Sequence, residues 1–433
     1  MLTVLSFLDS IPAILRVLLV FVLILLAIKR HVSLGNAFML GAAAMGLVFA
    51  MGPLDLVTAA GEALIHPKTL SLAVIVSLIL VLSHSLEQSG QMGRLLKGFS
   101  GLIRRPQINL VVFPALIGLL PMPGGAIFSA PMVKSLGDRH GLDGARLSYI
   151  NYWFRHIWEY WWPLYPGILL TTALAGVDLW RLVFFTLPIT FVALSAGYWP
   201  LRGAFTSGQE PGGRKPLMPF IRELTPVWFV IVFGLALGLV LSRLLAGAWL
   251  PVAKELGLIA ALVLAIAGVW RRNHMTAAER WSIMRQPAVL KMVYMVAGIL
   301  VFKGILESSG AVEQVSREML DWGIPLMPIA MLLPFLVGAV AGITIAFVGA
   351  TFPILISLIH ALDQPHMMLP YLMLALTCGF AGVLVSPLHL CLLLSNEYFH
   401  TTLMPLYRLM RWPVTALVAA AAAYFGLLRW WIV

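Results

Sequence analysis

The stretch NYWFRHIWEYWWPLYPG, residues 151–167, places Arg155, His156 and Glu159 inside an otherwise apolar segment. Ionisable groups at membrane depth are costly to bury and normally face a partner or a wet cavity. Arg155 is suited to bind a carboxylate, and Glu159 or His156 to carry a proton. Four residues separate Arg155 from Glu159, so on a continuous helix the two also pair across one face. A solute site and a structural ion pair framed by aromatics both stay open at this point. His156 and Glu159 have the spacing of helical metal ligands. Metal sites in helical bundles need two such motifs projecting inward, so this one alone predicts no metal.

Three further clusters carry candidate chemistry. LLPMPGGAIFSAPM, residues 119–132, concentrates Pro121, Pro123, Gly124 and Gly125 where the flanking chain is apolar enough for lipid. Glycine lets a solute approach the backbone, and proline frees carbonyls. A returning half-helix aims its amide groups and positive dipole end at an anion. Pro123, Gly124, Gly125 and Ser129 are therefore candidate solute ligands, with a packing turn as the alternative. GITIAFVGAT, residues 342–351, offers Gly342, Thr344, Gly349 and Thr351, either as ligands or as small residues that let helices approach. SPLHLCLLLSNEYF, residues 386–399, breaks at Ser386 and Pro387 and frees carbonyls for a cation or a solute. His389 lies just beyond and joins Glu159 and His156 as a candidate for ion coupling. Asn396 and Glu397 are expected at the cytoplasmic boundary, and His84 and Glu87 at an interface.

The elements that position these residues follow from composition. The 433 residues are 61% hydrophobic and 11% charged, with a mean hydropathy of +0.94. A soluble chain carries about 25% charged residues. Apolar runs near the length needed to cross a bilayer recur throughout, too long and too rarely alternating for barrel strands. The expected fold is an all-α polytopic membrane protein. Spans are placed near 11–28, 34–50, 70–86, 145–176, 179–200, 225–245, 256–270, 288–306, 366–395 and 411–432, about ten in all. The stretches 108–136 and 326–360 are apolar but interrupted.

The formal net charge of +11 suggests orientation in a membrane rather than nucleic acid, because the basic residues fall in short loops between spans. Lys29–His31, Arg94–Arg105, Lys134–Arg146, Arg202–Arg222, Arg271–Lys291 and Arg408–Arg411 bound these loops. All share one face only if each interrupted stretch enters and leaves on the same side. The interrupted stretches are then re-entrant hairpins, the first tipped by PMPGG, and the N-terminus is outside. Non-helical backbone at this depth is tolerated where protein buries it or a wet cavity borders it. Cys378 and Cys391 offer no disulfide framework. The first apolar run lacks a basic leader and a small-residue cleavage site, so it is read as a retained span.

The chain also repeats itself. LEQSG (Leu86–Gly90) matches LESSG (Leu306–Gly310), FPALIG (Phe113–Gly118) matches LPFLVG (Leu333–Gly338), and AIFSA (Ala126–Ala130) matches AFVGA (Ala346–Ala350), all offset by 220 residues. The charge pattern brings the first hairpin in from the cytoplasm and the second from outside, which makes the repeat inverted. The organisation read from this is a first span over 1–33, repeat 1 over 34–200, a basic cytoplasmic linker over 201–222, and repeat 2 with one extra span over 223–433. Amphipathic stretches near 91–103 and 311–322 follow the LE-x-SG motifs and suit interfacial helices. Paired interrupted segments in an inverted repeat point to the binding site of a secondary transporter.

PMPGGAIFSAPM, FRHIWEYWWPLYPG and SPLHLCLLLSNEYF resemble the uncharacterised membrane-protein family labelled domain of unknown function 401, over nearly the whole chain. That family is placed in the ion-transporter superfamily, with permeases for citrate, four-carbon dicarboxylates, gluconate and lactate. The resemblance implies two re-entrant tips and two unwound helices meeting at the solute, an elevator movement and a homodimer. Neither tip carries the Ser-Asn-Thr signature of sodium–dicarboxylate relatives, which argues against both a dicarboxylate and sodium.

The function expected is a permease in the plasma (inner) membrane for a small anionic organic solute, coupled to protons or sodium. No enzyme activity, cofactor or nucleic-acid partner is expected, and no GxxxxGK[ST] loop binds ATP. An intramembrane enzyme is the rival class but lacks a convincing nucleophile–base pair or complete metal site. A non-transporting membrane subunit is the third, and would not need two opposed hairpins.

Overall fold

The computed structural model describes residues 11–99, 102–103, 105–122, 124–203 and 216–432. Among them are twenty α-helices and no strand. In order, α1 is Ala13–Lys29, α2 Leu34–Val48, α3 Pro53–Ile65, α4 Pro67–Gln88, α5 Gln91–Phe99, α6 Pro106–Gly118, α7 Ala126–Arg139, α8 Gly144–Trp153, α9 Pro166–Ala175 and α10 Leu179–Tyr198. The remainder are α11 Met218–Leu244, α12 Ala253–Arg272, α13 Ala277–Met284, α14 Pro287–Ser308, α15 Ala311–Asp321, α16 Leu326–Ala341, α17 Thr344–Ala361, α18 Met368–Val385, α19 Leu390–Tyr398 and α20 Leu403–Ile432.

Local chemistry accounts for many boundaries. Pro67, Pro166 and Pro287 sit in the first turn of α4, α9 and α14, where the missing amide costs nothing. Asp143 accepts from the Arg146 amide at the start of α8, 2.8 Å away. Thr276 and Glu279 form a reciprocal capping box on α13.

Eight helical stretches among the described residues are long and apolar enough to cross a membrane. Four shorter apolar helices accompany them, including α2, α9 and α16. This is a multi-pass membrane protein whose outer helices face lipid. Leu15, Leu18, Leu19 and Val22 of α1 are exposed, as are Phe184 and Phe191 of α10. Burial ranks the elements. The apolar window of α17 is 83% buried and that over Pro365–Tyr398 is 89% buried, against 22% for α20. α17 of the second hairpin and the second interrupted helix therefore form the centre, and α20 the periphery.

From α4 to α10 the chain runs long helix, short helix, two-helix hairpin, interrupted helix, long helix. The same order recurs from α14 to α20. Both short helices bury one apolar face, Met92, Leu95, Leu96 and Phe99 on α5 and Val312, Val315 and Met319 on α15. Packing exchanges partners between the two halves of the chain. α4 packs on α12 and α14 on α2, while α5 packs on α11 and α15 on α1. The short-helix contacts are polar as well. Glu318 of α15 accepts from the first amides of α1, Ala13 at 2.5 Å and Ile14 at 2.8 Å. Gln91 of α5 donates to the Glu223 carbonyl of α11 at 2.9 Å.

The core helices approach closely because glycines face backbone. A Cβ on Gly338 of α16 would lie 2.2 Å from the Gly379 carbonyl of α18, and one on Gly382 would lie 2.1 Å from the Phe335 carbonyl.

One expectation is corrected. The segment 145–176 is not one continuous helix. α8 ends at Trp153, a 3-10 turn covers Phe154–His156, and turns carry the chain to Pro166. Arg155 and Glu159 therefore do not share a helix face. Bulky aromatics together with Pro163 and Pro166 favour the unwound path over the helix that an i,i+4 pair requires.

Candidate functional site

Two hairpin turns meet two helix breaks. α9, from the first interrupted helix, packs on α17 of the second hairpin, and α19, from the second, packs on α7 of the first hairpin. Each break is thereby carried to a tip from the other half of the chain.

At the first tip the last carbonyls of α6 have no helical donors, as at any helix end. Side chains from the first break bond two of them and two carbonyls just beyond the helix. Trp158 Nε1 donates to Ala115 O at 2.7 Å, Tyr165 Oη to Gly118 O at 2.6 Å and Trp162 Nε1 to Leu119 O at 3.0 Å. Arg155 Nη2 donates to Met122 O at 2.7 Å. Glycines make room for this. A Cβ on Gly118 would lie 1.9 Å from Arg155 O, and one on Gly125 would lie 2.5 Å from Arg155 Nη2. Gly124 turns the chain with φ +72°, a left-handed conformation that favours glycine.

At the second tip Gly342, with φ +67°, lies against the second break. A Cβ there would meet Ser386 Oγ at 2.9 Å and His389 N at 3.0 Å. Thr344 opens α17 and donates its hydroxyl to Glu159 Oε2 at 2.7 Å. This bond joins the second tip to the first break. The other carboxylate oxygen, Oε1, lies 3.7 Å from His156 Nε2.

The imidazole of His156 is fixed by its neighbours. Nδ1 lies 2.5 Å from Tyr152 O. A carbonyl only accepts, so Nδ1 carries the hydrogen and a neutral ring offers Nε2 as acceptor. Arg155 Nη1 approaches that nitrogen at 3.3 Å. The His389 ring stands nearly perpendicular to His156, with centroids 4.8 Å apart. At the second break Tyr152 Oη donates to Leu384 O at 3.1 Å and Tyr407 Oη to Val385 O at 3.0 Å. Arg155 and His156 are 2% and 1% exposed, yet among the described residues the atoms Arg155 Nε and His389 Nδ1 have no hydrogen-bond partner. A buried guanidinium with a free donor is a ready anion ligand, and a carboxyl held by one hydroxyl can exchange a proton.

The structure thus gathers Gly124, Gly125, Arg155, His156, Glu159, Gly342, Thr344, Ser386 and His389. Arg155 and Glu159 form no ion pair with each other among the described residues; each is bonded elsewhere. Pro123 lies outside the described residues. Ser129 donates to Asn151 Oδ1 at 2.6 Å, and Asn151 Nδ2 donates to Ala126 O and Ser395 Oγ, each at 3.0 Å. Asn396 is buried and accepts from Ser148 Oγ at 2.6 Å. Gly349 packs on Ile299 of α14, and the Thr351 hydroxyl donates to Phe347 O of its own helix at 2.8 Å.

Sequence reasoning missed Trp158, Trp162, Tyr165, Asn151 and Cys391. The signal for the first three was present. Each is an aromatic with a polar tip, and such a tip seeks a partner when buried.

A cavity of about 1110 Å³ opens between α9–α10 and α11–α12. Its lining includes Lys68, Arg181 and His366 and reaches Pro163 and Leu164 of the first break. Asp178, at the start of α10, pairs with Lys254 of α12, and both residues line the cavity.

A family model described as protein of unknown function (DUF401) matches residues 13–427. No curated protein matches the chain.

Proposed function

The chain belongs to the DUF401 family, and from the site it carries we propose that it is a secondary transporter for a small anionic organic solute. The observation that supports this most is the convergence of two tips and two breaks on the unpaired Nε of Arg155 and on the Glu159–Thr344 bond. In this reading Arg155 binds a carboxylate of the solute. Gly124, Gly125 and Gly342 let backbone approach it, and Ser386 lines the second break. Glu159 carries the coupling ion, with His156 and His389 beside it.

Protons suit this site better than sodium. The carbonyls of Ala115, Gly118, Leu119 and Met122 at the first tip already accept from side-chain donors. Those of Leu384 and Val385 at the second break do too. A sodium ion would have to share these oxygens with the donors already on them.

We read α6–α7 and α16–α17 as re-entrant hairpins of an inverted repeat. Each half then crosses the membrane five times: α1, α2, α4, α8–α9 and α10, then α11, α12, α14, α18–α19 and α20. Five crossings put the second half in the opposite orientation, with the N-terminus outside the plasma (inner) membrane. α1 is then the counterpart of α11, because each packs on the short helix of the other half. The hairpins and interrupted helices form the moving unit of an elevator, and α5 and α15 are the arms that tie it to the scaffold. The chain is read as a homodimer.

The test is counterflow in proteoliposomes with a panel of mono-, di- and tricarboxylates. At least one should exchange across the bilayer through the wild-type protein. Absence of exchange for every carboxylate and other small anion would reject the proposal.

A further inference from the structure

We propose that His156, His389 and Cys391, with Glu159, form a binding site for a thiophilic divalent ion of the zinc type. The donor atoms of the two histidines and the cysteine lie within 4.8 Å of one another, and all three residues are buried. Donors on one tetrahedral zinc ion are about 3.3–3.7 Å apart. For these three, closing on an ion therefore needs small side-chain shifts and no change of backbone path.

Each ligand is prepared in a different way. His156 donates Nδ1–H to Tyr152 O at 2.5 Å. That outer contact fixes the tautomer and presents Nε2, as metal-bound histidines do. His389 is buried, and its Nδ1 has no hydrogen-bond partner among the described residues. Glu159 Oε1 lies 3.7 Å from His156 Nε2, while Thr344 holds the opposite oxygen at 2.7 Å. The set is two nitrogens, one sulfur and one oxygen.

That chemistry selects the ion. Calcium and magnesium take oxygen ligands, six or more for calcium. Imidazole and thiolate favour zinc and its neighbours. Binding releases the thiol proton, and the thiolate and carboxylate together offset the two charges of the ion. The ion takes the place of Arg155 Nη1, which lies 3.3 Å from His156 Nε2, while Arg155 keeps its bond to Met122 O. Cys378, the other cysteine, lies on α18 outside this cluster.

The ligands come from both breaks, His156 and Glu159 from the first and His389 and Cys391 from the second. A bound ion therefore staples the two together beside Arg155. Inhibition of transport by zinc follows if the transport reading holds; binding itself does not depend on that reading.

The test is cobalt titration of the full-length protein in detergent under reducing conditions. Wild type should develop tetrahedral cobalt bands with a thiolate-to-cobalt charge-transfer band, saturating at one equivalent and displaced by zinc. Cys378→Ser should keep the charge-transfer band and Cys391→Ser should lose it. His389→Gln should weaken zinc binding at least about tenfold. Zinc should raise the thermal unfolding midpoint of wild type and of Cys378→Ser, reversed by chelator, which separates lost binding from lost folding. No charge-transfer band in wild type, or a band that survives Cys391→Ser, would overturn the site. A site confirmed by these bands in a protein that transports no anion would count against the transport reading alone.

Discussion

At the scale of single residues, Arg155 carries the strongest expectation. Its Nη2 is committed to Met122 O and its Nε has no partner among the described residues, so under the proposed function a solute carboxylate gains a charge-assisted bond. Such a bond is worth about 1.5–3 kcal/mol. Arg155→Gln should weaken solute affinity about tenfold or more, measured by calorimetry or counterflow competition. Unchanged affinity would leave Arg155 a structural prop of the first tip. The residue types were legible in the sequence, because a buried arginine, histidine and glutamate in an apolar run are costly without a purpose. Their partners were not. The i,i+4 pairing assumed a helix, and the chain unwinds at Phe154, so Arg155 turns to Met122 and Glu159 to Thr344. Cys391 escaped notice because an isolated cysteine in an apolar segment reads as a small hydrophobe.

At the scale of elements, the first tip is held by side chains rather than by ladder bonds. Tyr165→Phe removes the donor to Gly118 O and leaves a buried carbonyl unpaired. The expected cost is about 1–3 kcal/mol, read as a lower thermal midpoint in detergent. A midpoint equal to wild type would mean that Gly118 O finds another donor. Gly118→Ala should be more severe, since its Cβ would lie 1.9 Å from Arg155 O and backbone cannot rotate away. The first interrupted segment was legible as clustered proline and glycine, and the second as an apolar stretch broken in its middle. The fillers of their carbonyls were not, because sequence spacing does not show that Trp158, Trp162 and Tyr165 reach back across more than forty residues to α6.

At the scale of the whole molecule, contacts between the two halves of the chain tie together elements far apart in sequence. Asp178 and Lys254 join α10 to α12 on the wall of the large cavity. Partial burial raises the Asp178 pKa, but the Lys254 hydrogen bond and the Arg181 and Trp180 amides outweigh it and hold the carboxyl below its ordinary value. A depressed carboxyl stabilises the fold above its unfolded pKa and loses that contribution as pH falls through the folded value. Asp178 also caps α10, accepting from the Trp180 amide at 3.0 Å. Asp178→Ala should therefore cost about 0.5–2 kcal/mol at neutral pH. The difference from wild type should shrink once the medium is more acidic than the usual aspartate range. A difference independent of pH would assign the effect to packing. The recurring order of elements was legible from LEQSG and LESSG. The exchange of partners, with α5 on α11 and α15 on α1, was not, because nothing in a hydropathy pattern says which helix a given apolar face will meet.

In the proposed transport cycle Glu159 couples a proton to the movement of an anion at the junction of tips and breaks. The most direct test is accumulation of a transported carboxylate in proteoliposomes under an imposed pH gradient, without sodium, by wild type and by Glu159→Gln. Glutamine can still accept from Thr344 Oγ1 but cannot release a proton. Wild type should accumulate solute on the pH gradient alone. Glu159→Gln should lose accumulation yet keep part of its solute exchange, since exchange need not release the proton. Normal accumulation by Glu159→Gln, or accumulation by wild type only on a sodium gradient, would contradict the account.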